Sequence, residues 1–181
     1  MLEQQGLEYT RPDADTITTG FAGLQNYTDD DGESYLGLVI RLDEDGRYFR
    51  LYAPDAYRVP EERAGMFLQA CAMVQWRTKL IQFEYDAQDG EVRPVVEFPL
   101  EDNDLSSAQL MRCMAGLTQL IDEFHPILRR SLEEGVIEFD DDGAAAALLG
   151  RLLAGFPADT LAEALRLADQ QRRLDEDDDG R

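Results

Sequence analysis

The sequence predicts an antiparallel α+β protein whose sheet, a three-stranded meander plus a hairpin, is packed by two helices. Short stretches alternate apolar and polar residues between acidic, glycine-containing turns, as strands with one buried face do. Two longer stretches repeat apolar residues at helical spacing. The order of strands, helix, two strands and helix is typical of α+β domains.

The meander is clearest in residues 35–53. Residues 35–42 alternate strictly, and residues 47–53 alternate again after an acidic turn at Asp43–Gly46, where glycine suits a positive φ angle. This pattern predicts a hairpin. An earlier strand of the same meander is predicted at Phe21–Tyr27, although nearby glycines weaken it.

The first helix is predicted to begin with Pro60 at its first position, since proline is tolerated there. Its apolar stripe is formed by Phe67, Ala70, Cys71 and Val74. A second hairpin follows within residues 80–98. Its second strand contains Pro94, which cannot donate a ladder hydrogen bond, so we expect that strand at an edge or with a bulge.

The second helix has the clearest start signal, because Ser106 can cap it together with Gln109 three residues later. Pro126 is expected to kink or split this helix. Beyond Gly135, apolar periodicity predicts two further short helices at residues 143–154 and 158–173.

The middle of the chain resembles the YbjN family, which is grouped with the type III secretion chaperone-like fold. The resemblance covers about residues 34–134 and is carried by the segments YFRLYAP, VPEERAGMFLQACAMVQ, LIQFEYDAQDGEVRPVVEFPLED and LSSAQLMRCMAGLTQLIDEFHPIL. It implies a compact α+β domain that contacts other proteins and pairs into homodimers, with no agreed enzyme activity. Secretion chaperones open with a helix, whereas residues 1–33 are acidic and poorly helical, and no individual functional residue carries over.

The charge divides the chain into three predicted parts. These are an acidic N-terminal segment with a first strand (1–33), the YbjN-like domain (34–134), and a helical extension with an acidic tail (135–181). The whole chain has 38 acidic and 17 basic residues, a net charge of -21, and each part carries -7. The long middle part is therefore the least acidic per residue. This charge disfavours nucleic acid and anionic membranes as partners.

The chain start lacks the basic and apolar regions of a secretory signal, and no apolar run is long enough to span a bilayer. Cys71 and Cys113 both fall in predicted helices among apolar neighbours, so we expect buried, reduced thiols. These features predict a bacterial cytoplasmic protein.

No catalytic, metal or cofactor motif stands out, so the sequence predicts a non-enzyme with no cofactor and no small-molecule substrate. His125 is the single histidine, and we interpret it as a residue shaped by the helix break at Pro126. The acidic turns lack the terminal glutamate of a calcium loop, although weak cation binding stays open as an alternative.

One predicted surface combines residue types that are frequent at protein interfaces. If the leucines of residues 36–42 face the helices, the opposite sheet face carries Tyr35, Val39, Arg41, Tyr48, Arg50, Tyr52 and Arg93. We predict that this face binds protein. The alternative is an ordinary wet sheet face on which the arginines pair with Glu84 or Glu97.

The rival surface is Trp76, placed just past the first helix, together with the exposed side of that helix, for self-association. The function predicted is a protein-binding, chaperone-like or regulatory module whose partner is another protein or its own copy. The alternative class is an acidic protein that binds calcium weakly or is adapted to high salt.

Overall fold

The computed structural model describes residues 2–3 and 6–139, which form two helices, as predicted, and six strands, one more than the five predicted. In chain order they are β1 (Thr16–Ala22), β2 (Tyr35–Asp43), β3 (Tyr48–Tyr52), β4 (Tyr57–Arg58), α1 (Glu61–Arg77), β5 (Gln82–Tyr85), β6 (Glu91–Pro99) and α2 (Ser107–Glu133). The chain up to Glu138 forms one compact unit. The helices predicted at 143–154 and 158–173 lie outside the described residues.

All strand pairs are antiparallel and belong to one sheet. The order runs from β1 through β2 and β3 to β6, and the short β4 pairs with β6 further along the same side as β3. Strand β5 lies on the other side of β6, because Val95 pairs with both Tyr52 and Gln82. The predicted antiparallel α+β fold is confirmed.

The first strand lies earlier than predicted. It covers Thr16–Ala22, so the prediction of Phe21–Tyr27 was wrong except at its first two residues. Gly23 has a φ of 74°, a conformation that ends the strand. The alternating β-branched residues of TITTGFA were the better signal.

Strand β6 is not at an edge, which corrects one of the two expectations for Pro94. The carbonyl oxygen of Pro94 accepts a hydrogen bond from Ala53 N at 3.1 Å, so its nitrogen faces the gap between β3 and β4. Residues 53–56 belong to neither strand. The side of Pro94 that lacks an N–H therefore faces the place where the neighbouring strand is interrupted. Proline is found inside a sheet at irregular pairing of this kind.

One face of the sheet forms the core with the two helices. Leu36, Leu38, Phe49 and Leu51 are buried to 1% exposure or less, as the alternation predicts. Helix α1 packs on β5 and α2, and α2 packs on β6. The buried stripe predicted for α1 is confirmed. We call this side the inner face and the opposite side the outer face.

Both helix starts lie close to the predicted positions. Pro60 is the N-cap of α1 rather than its first residue, and Trp76 lies within α1 rather than past it. Ser106 and Gln109 form the predicted capping box of α2. Helix α2 continues through Pro126 to Glu133, so the predicted split is wrong.

Candidate protein-binding face

The strand register places the predicted site residues together on the outer face. Along β2 and β3, Val39 pairs with Tyr52 and Arg41 pairs with Arg50, while Tyr52 pairs with Val95 of β6. The full set on this face is Tyr35, Val39, Arg41, Tyr48, Arg50, Tyr52 and Arg93. Their placement follows from strand alternation, while their role in binding stays a prediction.

Two of the arginines and one tyrosine form a closed group that we call the arginine–tyrosine cluster: Arg50, Tyr52 and Arg93 with Glu84 and Glu97. Arg50 lies 3.0 Å from Glu84 and 3.1 Å from Glu97, and Arg93 lies 2.7 Å from Glu84. Both guanidinium groups lie over the Tyr52 ring, at 5.7 Å and 4.9 Å from its centroid. These are distances at which a cation interacts with an aromatic ring.

The arginine–tyrosine cluster is electrically neutral, with two arginines and two glutamates. It covers Val95, which is 1% exposed although it points to the outer face. The pairing with Glu84 and Glu97 that the sequence left open is therefore present. These arginines already have carboxylate partners, so they do not present free positive charge to a binding partner.

Two further residues of the set, Arg41 and Tyr48, lie outside this cluster. Arg41 Nε lies 2.6 Å from Asp43 Oδ1. Tyr48 is half-buried and pairs in register with Asp43 and Pro99. Arg41 is thus also neutralised, by a residue of its own strand.

The remaining two residues, Tyr35 and Val39, line an open groove of about 930 Å³ at the β1 end of the outer face. The strand floor of this groove includes Gly20 and Gly37, which are directly opposite each other in the register. The segment of residues 7–10 and Pro54 contribute its walls. This groove is not among the sequence predictions, and the signal for it was glycine within strands, which often marks close approach of another group.

A second group joins three buried rings in the core to a half-buried carboxylate, and we call it the histidine–tyrosine cluster: Tyr27, Tyr57, His125 and Asp122. The hydroxyl of Tyr57 lies 3.2 Å from His125 Nδ1, and the Tyr27 hydroxyl donates to the carbonyl oxygen of Ala56 at 3.1 Å. The Tyr27 and His125 rings meet edge to face, 4.9 Å apart. His125 is thus a core residue of an unbroken helix, and its interpretation as a residue at a helix break was wrong.

Asp122 ties the loop after β1 to helix α2. Its carboxylate accepts hydrogen bonds from the backbone nitrogens of Gln25, Asn26 and Tyr27 at 3.2, 2.7 and 2.9 Å. Partial burial opposes ionisation, but these three donors hold the pKa of Asp122 below its usual value. This arrangement explains how Tyr27, which belongs to no strand, becomes part of the core.

The single histidine and the two cysteine thiols are buried. Burial lowers the pKa of His125, with Arg129 adding to the effect, and burial raises the pKa of both cysteine thiols. Cys71 and Cys113 are free and buried, as predicted. A thiol with a raised pKa is a poor nucleophile, because the thiolate is the reactive form.

Within the described residues, no three histidine, cysteine or acidic side chains are grouped as a metal site would require. In the acidic turn at residues 29–33, Asp29 Oδ1 accepts hydrogen bonds from Asp31 N and Glu33 N at 3.0 and 2.8 Å. Weak calcium binding stays a prediction, which thermal melting with and without calcium would test, since a ligand of the native state raises its melting temperature.

The fold belongs to the class of antiparallel α+β proteins in which one sheet face is covered by two helices. Comparison with protein-family models gives no match, and comparison with curated proteins gives none. Among solved structures, the chain is similar to YbjN of E. coli, a suggested transcription regulator, with a TM-score of 0.50 and 10% identity over 69% of this chain and 86% of that one. It is also similar to a chain in the HopA1–SchA chaperone–effector complex, with a TM-score of 0.47 and 17% identity over 69% of this chain and 87% of that one.

The likeness to YbjN confirms the fold that the sequence resemblance implied. At 10% identity it shows the fold alone, so the function has to be argued from the surface. Neither helix of the described part is both long enough and apolar enough to cross a membrane.

Proposed function

We propose that this protein is a non-enzymatic protein-binding module and that the outer face of its sheet is the binding surface. The observation that carries the proposal is the open groove that Tyr35 and Val39 line on the outer face. Tyr35 is 45% exposed, although tyrosine in a sheet commonly packs against its neighbours. Exposed tyrosine next to apolar floor is a composition typical of interface cores.

The arginine–tyrosine cluster supports this proposal through rigidity. Its ion pairs join β3, β5 and β6 across the outer face, so these side chains are ordered before a partner arrives. A preorganised surface loses less side-chain entropy on binding. The arginine–tyrosine cluster would therefore form the rigid part of the outer face, and the groove would form the part that contacts the partner.

A non-enzymatic role is supported by the chemistry of the enclosed groups. His125 contacts two tyrosine side chains rather than a nucleophile, and both thiols are buried. The groups most suited to catalysis at neutral pH thus lie in the core rather than at the groove.

The test is partner capture by variants of the two exposed surfaces. The immobilised protein is incubated with a lysate of the source organism, and bound proteins are quantified by mass spectrometry. Replacing Tyr35→Ser together with Val39→Ser is expected to remove at least one captured protein, because both side chains line the groove. The matched control is Met66→Ala with Trp76→Ala on α1. Loss with the α1 pair and retention with the groove pair would contradict the proposal.

A second candidate function is self-association through α1. Trp76 is 88% exposed, and Met66 is also exposed on the outward side of this helix. Acidic residues (Glu61, Glu62) precede this surface and basic ones (Arg77, Lys79) follow it, so two antiparallel copies would bring opposite charges together. Sedimentation at increasing concentration tests this, and a Trp76→Ala variant should stay monomeric where the native chain dimerises. A native monomer at high concentration would refute it.

A further inference from the structure

The floor of the groove contains a glycine pair that the backbone itself does not require. Gly20 and Gly37 face each other across β1 and β2, and neither has a positive φ angle. A side chain at Gly37 would meet just the edge of the Tyr35 ring, at 3.7 Å from an added Cβ. Gly20 is required by the Tyr35 side chain, because an added Cβ would clash with it, whereas the missing side chain of Gly37 leaves space above the groove floor.

Tyrosine rings border this space. The Tyr35 side chain lies over Gly20, where its hydroxyl occupies the position that a Cβ would take. Tyr9, 37% exposed, lies in the wall formed by the N-terminal segment, and its hydroxyl donates to Glu3 at 2.9 Å. Tyrosine faces attract cations as well as apolar groups.

The charge of the groove has one sign. Among the residues that the structure describes, its lining includes Glu3 and Glu8 and no arginine, lysine or histidine. Arg11, which follows the wall residue Thr10, donates to the backbone oxygens of Asp13 and Ala14. On the outer face, Arg41 is paired with Asp43, and Arg50 is paired with Glu84 and Glu97. An incoming positive charge would therefore meet acids and tyrosine rings, whereas an incoming negative charge would meet repulsion.

We infer that the groove binds an arginine or lysine side chain of a partner protein, with its aliphatic stem over Gly37 and its charge beside Glu8 and the tyrosines. This inference rests on the proposed function and names the partner's chemistry at that same surface. The long stems of basic side chains cover apolar floor while their charged heads stay near water, which suits an open groove. A small molecule is less suited, because such ligands are mostly enclosed when bound.

The experiment is an NMR titration of the ¹⁵N-labelled full chain with a short peptide of alternating glycine and arginine. Peptides with glutamine or glutamate in place of arginine are the charge controls. We expect saturable shifts of the Gly20 and Gly37 amide signals with the arginine peptide and none with the glutamate peptide. Added salt should weaken the binding, because the attraction to exposed acids is screened.

Two variants separate groove binding from general attraction to an acidic chain. Gly37→Val fills the floor without a backbone clash and should weaken binding by about tenfold or more, while Glu8→Gln should weaken it by a smaller factor. Gly65→Ala on α1, where an added Cβ meets no other atom within 4 Å, is the control on another surface and should leave binding unchanged. Unsaturable shifts spread over the acidic turns, or equal binding by Gly37→Val, would overturn the inference.

The same variants distinguish this inference from the proposed function. If the Tyr35→Ser and Val39→Ser pair loses its captured protein but the arginine peptide does not bind, the face binds protein and the inferred chemistry is wrong. If neither the capture nor the peptide depends on the groove, both are wrong.

Discussion

The two tyrosine-containing clusters of this protein differ in what surrounds them. The rings of the histidine–tyrosine cluster are in the core, where Tyr27 and Tyr57 are each 2% exposed and burial lowers the pKa of His125. The arginine–tyrosine cluster lies on the outer face, where Tyr52 is half-buried between charged groups with ion-pair partners. Aromatic rings anchor a loop in the first case and organise a surface in the second. Burial, rather than residue type, determines which role a tyrosine takes.

The difference predicts unequal costs when a tyrosine is truncated. Tyr57→Ala is expected to lower the free energy of unfolding by about 3–5 kcal/mol, because it leaves a cavity and removes the hydroxyl beside His125. Tyr52→Ala should cost about 1 kcal/mol, the loss of two weak cation–ring contacts. Urea unfolding followed by circular dichroism measures both. Equal costs would mean that the two clusters are equivalent in stability.

Removing a carboxylate should also cost more stability in the histidine–tyrosine cluster than in the arginine–tyrosine cluster. Asp122→Ala is expected to cost about 2 kcal/mol, since three backbone donors lose a charged acceptor. Glu84→Ala should cost about 0.5–1 kcal/mol, because its ion pairs are partly exposed and Arg50 keeps Glu97. Hydrogen exchange at residues 25–27 should accelerate in the Asp122 variant alone. Unchanged exchange there would show that Asp122 does not hold the loop.

Acid should destabilise the core cluster through His125. The pKa of His125 is lowered from 6.5 in the folded chain, so below about pH 6.5 the unfolded chain binds a proton that the folded chain does not. The free energy of unfolding should then fall as pH decreases, by at most about 1.36 kcal/mol per pH unit from this residue. The charged and titratable groups facing it are Tyr27, Tyr57, Asp122, Arg129 and Glu133.

The control for this pH dependence is His125→Gln, which cannot titrate and still offers an acceptor to Tyr57. Its unfolding free energy should depend less on pH between 7 and about 5.5. Carboxylates such as Asp122, whose pKa is lowered, contribute their own loss at more acidic pH in both proteins. Parallel curves for the two proteins down to pH 5.5 would contradict the assignment to His125.

The smallest effect on stability is expected at the groove. Gly37→Val should change the free energy of unfolding by less than about 0.5 kcal/mol, because valine favours strands and an added Cβ makes an ordinary contact with the Tyr35 ring at 3.7 Å. Thermal melting compares it with the native chain. A large destabilisation would show that Gly37 has a structural role. Gly37→Val could then not be used to measure binding in the groove.

The regular parts of the fold were predictable because their signals are local. Alternation defined β2 and β3, and the pair Ser106 and Gln109 located the start of α2. The first strand was misplaced because the core position of Tyr27 depends on Asp122, 95 residues away. Pro126 did not end α2, because tertiary packing of Ile121, His125 and Leu128 in the core favours a continuous helix.

The residues on the outer face were predictable, but the ion pairs that they form were not. Alternation placed Arg50 and Tyr52 on one face, but the pairing with Glu84 and Glu97 depends on which strands are neighbours. The groove depends on the register that sets Gly20 against Gly37 and on the path of the N-terminal segment. Neither can be derived from local sequence, since both join residues that are distant along the chain.

The most direct test of the central claim is photo-crosslinking from two exposed aromatic positions. Benzoylphenylalanine replaces Tyr35 on the outer face in one protein and Trp76 on α1 in another, each in the full chain within cells of the source organism. A protein-binding outer face predicts a covalent adduct with a different protein from position 35 and none, or a self-adduct, from position 76. An adduct with a different protein from position 76 and none from position 35 would contradict the account.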